Sequence, residues 1–140
     1  MFVAFYKGEG NFFDKLIRWK TRSQYSHCEL VFSDGVFFSA DPRDKGVRYK
    51  NIALDPTKWD FKEVHLDTFA ENVVRRYCDS KVGRKYDWLG IVFCHVLKLG
   101  VEDAGRFFCS EICGKALQQA DLLRGYNCSE FDPGDLSRKV

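Results

Sequence analysis

Nowhere does this 140-residue chain hold an unbroken apolar run of the roughly 20 residues that a membrane-spanning helix needs. The longest candidate, Trp88 to Leu99, is interrupted by His95 and Lys98, so no transmembrane segment is expected. Also missing is a basic leader followed by an apolar stretch and a small-residue cleavage site. That absence points to a cytoplasmic protein whose six cysteines stay reduced rather than pairing into disulfides. The small size without a targeting signal suits a bacterial or viral protein. No Cys-x-x-Cys pair occurs. Cys109 and Cys113 stand four apart with Cys94 and His95 upstream, but structural zinc sites use tight knuckles or a full tetrahedral set, so no metal and no cofactor is expected. Nor is one sign of charge in excess: the net charge is +2 and the basic residues are dispersed, which argues against a nucleic-acid partner. With no internal repeat, low-complexity tract or linker, residues 1–140 read as a single domain.

What the chain does have is aromatic bulk, 16% of its residues with 13 Phe among them, enough for a well-packed interior. Phe2 to Tyr6 reads as a buried strand, and Asn11 caps a helix from Phe12 to about Lys20. Ser26 to Phe32 and Val36 to Ala40 form a hairpin about Ser33-Asp34-Gly35. Val47 to Ile52 and Trp59 to Leu66 are further strands. Thr68-Phe69-Ala70-Glu71 fits a capping box opening a helix that stops near Gly83. Asp87 is a plausible cap for a helix over Trp88 to Leu99, Val101 to Phe108 is a loop or short extended piece, and Cys109 to about Leu123 is an amphipathic helix ended by Gly125. The tail from about residue 129 is expected to be loosely ordered. Strands followed by helices, rather than alternating with them, give an α+β fold, an antiparallel sheet packed against helices.

Chemistry is concentrated at Phe107-Phe108-Cys109-Ser110-Glu111-Ile112-Cys113. A cysteine at a helix start meets unpaired backbone amides and the positive end of the dipole, which favour thiolate. A thiol nucleophile needs a base, and histidine is the usual one. Interior positions make His95 and His65 poor choices, whereas His27 opens a strand beside a polar turn. Its orienting partner is open among Glu29, on the same strand face, and Ser39 and Asp41 on the hairpin partner. Against all this, a free cysteine is often only a small buried hydrophobe, and Glu29 and Asp41 suit a surface strand and a turn equally well.

Four blocks in order resemble the circularly permuted NlpC/P60 papain-like cysteine hydrolases, in particular the YiiX-like branch. They are Tyr25-Ser26-His27-Cys28-Glu29-Leu30, then Phe37-Phe38-Ser39-Ala40-Asp41-Pro42 with Gly46-Val47, then Gly83-Arg84-Lys85-Tyr86-Asp87-Trp88, and Phe108-Cys109-Ser110-Glu111-Ile112. Each block is short; their order and spacing, over residues 12 to 120, make the combination specific. The resemblance implies a permuted papain-like fold built on a small open barrel, with Cys109 as nucleophile and His27 as base. Where members of the branch often carry Glu, this chain has Ser39 as the third residue, with Glu29 or Asp41 as alternatives. Tyr25 is the expected cleft donor to the oxyanion. The implied activity is that of a cysteine peptidase or amidase, a thiol protease cleaving peptide or cell-wall peptide. Thiol-dependent acyl hydrolysis or transfer, and a catalytically silent binding domain, are the alternatives.

Overall fold

A computed structural model describes residues 1–53, 55–86 and 106–140. Strand β1 (Phe2–Tyr6) leads to helix α1 (Phe12–Thr21), the hairpin β2 (His27–Val31) and β3 (Phe37–Asp41), then β4 (Gly46–Lys50) and β5 (Trp59–Glu63). Helix α2 (Thr68–Asp79), the short strands β6 (Lys85–Tyr86) and β7 (Arg106–Phe107), helix α3 (Cys109–Gln118) and helix α4 (Pro133–Lys139) complete the described strands and α-helices. The five long strands form one antiparallel sheet in the order β4-β3-β2-β1-β5, and β6 pairs β7 in parallel. The expected α+β class is therefore what the chain adopts. The sheet is open, with β4 and β5 at its edges. Among the described residues no helix is long and apolar enough to cross a membrane. The expected helix over Trp88 to Leu99, and with it Asp87, Cys94 and His95, lies outside the described residues.

Period-two alternation explains where the core sits. Val3, Phe5, Cys28, Leu30, Phe38, Ala40 and Val47 belong to the main core with Ile112, Cys113, Ala116 and Leu117 of α3, Val74 and Cys78 of α2, and Leu136 of α4. The intervening Ala4, Val31 and Phe37 form a smaller cluster with Ile52 and Trp59. Ile112 and Leu117 are wholly buried, each stabilising the fold by about 1.5–3 kcal/mol. In β2 the same alternation separates His27 and Glu29 from Cys28 and Leu30.

Local chemistry sets the elements near the site. Asn11 Oδ1 accepts from the Phe13 and Asp14 amides at 2.9 and 3.1 Å, while Asp14 returns a bond to the Asn11 amide at 2.8 Å. The buried Asp14 also accepts from Ser26 Oγ at 2.9 Å, tying α1 to the residue before His27. Gly46 and Val47 meet the Gly83 segment through two backbone bonds, Val47 N–H to Arg84 O at 2.8 Å and Gly83 N–H to Val47 O at 2.9 Å. Glycine is required there, since Gly46 has φ +144° and a Cβ would lie 2.1 Å from Arg84 O.

Two expectations change in detail. The cap of α2 is Asp67, whose side chain accepts from the Ala70 amide at 2.7 Å; Glu71 bonds Ser33 of the hairpin turn instead of closing a box with Thr68. The tail, expected to be loosely ordered, folds as α4: Asp132 caps it, Pro133 starts it, and Leu136 is buried in the core.

Candidate active site

Helix α3, which Cys109 begins, packs on β2, which His27 begins, and each of the two groups shifts the charge state of the other. Both residues are about 5% exposed and line one cavity of about 570 Å³. The imidazole is held from its other side. His27 Nε2 lies 3.1 Å from Glu29 Oε1 and 3.8 Å from Asp41 Oδ2. With Nε2 engaged by carboxylate, Nδ1 is the ring atom left to exchange a proton with Cys109.

Glu29 is itself fixed. Arg48 donates to both of its oxygens, Nη1 to Oε2 at 2.8 Å and Nη2 to Oε1 at 2.9 Å, in a fork-to-fork geometry. Asp44 takes Arg48 Nε at 2.7 Å, and Arg43 covers Asp41 through Nε and Nη2 at 3.0 and 2.8 Å. His27, Glu29 and Asp41 are the one described group with donor atoms close enough to share a metal ion. Two guanidiniums already occupy those carboxylates, so a cation there would have to displace them.

The charge states follow from these contacts. Burial alone lowers the His27 pKa, but the Cys109 thiolate and then Glu29 outweigh it, and the imidazole stands well above its ordinary value. The Cys109 thiol moves the other way: a hydrogen bond from the Cys28 thiol favours its thiolate, burial opposes, and the His27 charge and the Cys28 amide add to the stabilisation. Burial raises Glu29, but hydrogen bonds from His27 and Arg48 leave it below the usual carboxylate range. Asp41, raised by burial and lowered more by Arg43 and His27, falls to about 2. These directions favour a thiolate beside an imidazolium, with an ionised carboxylate behind the ring.

The helix start supplies donors. The first intrahelical bond of α3 is Ile112 N–H to Phe108 O at 2.9 Å, so the amides of Cys109, Ser110 and Glu111 precede the ladder. Glu111 is the first-turn carboxylate anticipated from the sequence, accepting from Lys115 Nζ at 2.6 Å and Ser129 Oγ at 3.1 Å, with the Phe108 amide 3.4 Å away. Ser110 Oγ donates to Phe131 O, anchoring the helix start to the segment before α4.

Cys109, His27, Glu29 and Asp41 are thus brought together. Ser39 is not: its hydroxyl donates to Cys28 O at 2.7 Å within the core, leaving the place beside the imidazole to Glu29. Arg48 holds Glu29 in that place, and the Glu29 carboxylate brings the negative charge that a serine hydroxyl lacks. Tyr25 is also used elsewhere, its hydroxyl donating to Asp60 Oδ2 at 2.9 Å and its ring packing on Phe5 at 5.2 Å. It does not line the cavity. His65 is exposed beside Glu63. Sequence reasoning missed Arg48, Arg43 and Cys28. Only the β3–β4 register, which sets Ser39 opposite Arg48, reveals the first.

No family model matches the chain, and no curated protein is found similar to it.

Proposed function

We propose that this protein is a thiol hydrolase of the permuted NlpC/P60 type, related to the YiiX-like branch, cleaving an amide bond in a peptide-like substrate. The observation behind this reading is that Cys109 and His27 line one cavity, with Glu29 and then Arg48 bonded in turn behind the imidazole. Histidine upstream of cysteine, on a strand against which the cysteine helix packs, is the order the permuted arrangement requires. Cys109 Sγ attacks the carbonyl carbon, and the Cys109 amide, with that of Ser110, faces the developing oxyanion. His27 Nδ1 gives its proton to the leaving amine, and the thioester is then hydrolysed by water that His27 deprotonates. Glu29 keeps the ring in orientation and stabilises its charged form.

A second reading is favoured by the cavity wall. Phe13, Leu16, Ile17 and Trp19 of α1, with Pro133 opposite, make most of the lining apolar. Such a wall suits the chain of an acyl ester or thioester, cleaved by the same thiol. A panel of activated amides and of acyl esters of increasing chain length, assayed with the natural chain and with Cys109→Ala, separates the two. Turnover of amides over esters supports the first reading, and a rate rising with acyl length supports the second. Labelling of Cys109 by iodoacetamide no faster than Cys113 would reject both and leave a binding domain.

A further inference from the structure

Helix α1 buries one side and leaves the other exposed. Asp14 is buried, bonded to the Asn11 amide and to Ser26 Oγ, and Ile17 and Thr21 are half-buried. On the far side Phe12, Leu16 and Trp19 follow one another at i, i+4 and i+7 as one stripe, and stand 73%, 37% and 76% exposed. Phe13, also exposed, meets Phe12 edge-on with ring centroids 5.9 Å apart. Apolar bulk gathered in one exposed stripe marks a contact surface, unlike scattered surface residues.

Charge says which kind of surface. Lys15 flanks the stripe on one side, Lys20 on the other, and Arg22 stands at its C-terminal end, all three exposed. The one acid from residue 11 to 22, Asp14, is on the buried side, and Arg18 is turned back onto the carbonyls of Gly8 and Glu9. Two copies meeting through this face would bring like charges together, which argues against a dimer. Aromatic rings interleaved with basic side chains fit a lipid surface of negative charge, where the rings settle at headgroup level and the cations meet the headgroups.

We propose that α1 is an interfacial helix that seats the protein on an anionic lipid bilayer, with Phe12, Leu16 and Trp19 entering the headgroup region and Lys15, Lys20 and Arg22 meeting its negative groups. The face runs on to the site, since Leu16, Trp19 and Lys20 also line the cavity that holds Cys109. Seating α1 therefore brings the mouth of that cavity to the lipid surface. The inference rests on the exposed side of α1 and not on the chemistry at Cys109.

Pelleting of the full chain with vesicles of equal parts phosphatidylcholine and phosphatidylserine, against vesicles of phosphatidylcholine alone, tests this. Binding should be tighter to the anionic vesicles and should weaken as salt rises. Lys15→Gln with Lys20→Gln removes two charges and should weaken it about 30-fold. Phe12→Ala with Trp19→Ala should weaken it at least about tenfold. Both pairs lie on the exposed side, so circular dichroism should be unchanged. Brominated lipid should quench Trp emission in the natural chain and do so less in Trp19→Phe, which still pellets. Cys109→Ala should pellet as the natural chain does, so that loss of hydrolysis and loss of docking are read apart. No pelleting with the anionic vesicles, or pelleting that Phe12→Ala with Trp19→Ala leaves unchanged, overturns the proposal. So does a concentration-dependent dimer that the same two substitutions abolish, which would give the face to a second copy.

Discussion

Replacing Glu29 by Gln removes one charge from the centre of the site while keeping its shape. In the native chain Oε1 serves both His27 Nε2 at 3.1 Å and Arg48 Nη2 at 2.9 Å, and Oε2 serves Nη1 at 2.8 Å. A Gln carbonyl at the Oε1 position keeps the first two bonds but turns its amide hydrogens toward Nη1. The reverse orientation keeps Nη1 and sets a donor against both Nη2 and Nε2. Either way the imidazolium loses the anionic partner of its charge-assisted bond. Hydrogen bonds to charged groups contribute about 1.5–3 kcal/mol against about 1 for neutral ones, so the ion pair should lose about 1 kcal/mol. At about 1.36 kcal/mol per decade that is roughly a 5-fold fall in the thiolate–imidazolium population where the pair is no longer dominant. The assay is the rate of Cys109 alkylation by iodoacetamide from pH 4 to 9, with the site read by mass spectrometry. The thiolate limb should move to higher pH, and the rate on its acid side should fall about 5-fold, with circular dichroism unchanged. An unshifted limb in Glu29→Gln, with a shifted one in Asp41→Asn, would refute the assignment of Glu29 as the orienting carboxylate and give that place to Asp41.

Arg48→Met should cost about 3–5 kcal/mol in urea denaturation, because it leaves the buried Glu29 without its guanidinium; the double variant Arg48→Met with Glu29→Leu should recover part of that loss. Asp41 has its folded pKa lowered to about 2 from 3.8, so it adds stability above its unfolded value that disappears as pH falls toward 2. The corresponding contribution is about 2 kcal/mol, and Asp41→Asn should flatten the acid limb of Tm between pH 4 and 2. His27 has the opposite sign: its raised pKa stabilises fully below about pH 6.5 and is lost as pH rises through the folded value, so His27→Gln should steepen nothing on the acid side and remove the alkaline decline. Gly46→Ala should lower the urea midpoint and weaken the Gly83 clip, visible as faster amide exchange at Val47 and Gly83, since its Cβ has no room beside Arg84 O.

The architecture was legible in the chain because it is written in short-range patterns. Phe2 to Tyr6, the Ser33-Asp34-Gly35 turn, the Asn11 cap and the Cys109 helix all announce themselves through alternation, turn residues and apolar spacing, and each begins where expected, although the Cys109 helix ends at Gln118 rather than near Leu123. Cys109 and His27 were singled out by a helix start and a strand end together with the four ordered blocks, and the structure sets both on one cavity. Alternation alone put Glu29 on the face of His27, but could not choose it over Ser39 or Asp41. That choice depends on Arg48, which reaches Glu29 only because β4 pairs β3 with Arg48 opposite Ser39, 19 residues from Glu29 along the chain. Tyr25 was misjudged for a similar reason, since its hydroxyl partner Asp60 comes from β5, beyond β1 in the sheet. The meeting of Cys28 and Cys113 is also invisible in one dimension, because it comes from the packing of α3 on β2. Local sequence determines which residues can ionise, turn or cap. Which of them share a proton is decided by strand register and helix packing, where distant charges are buried within 3 to 4 Å of one another and solvent no longer screens them.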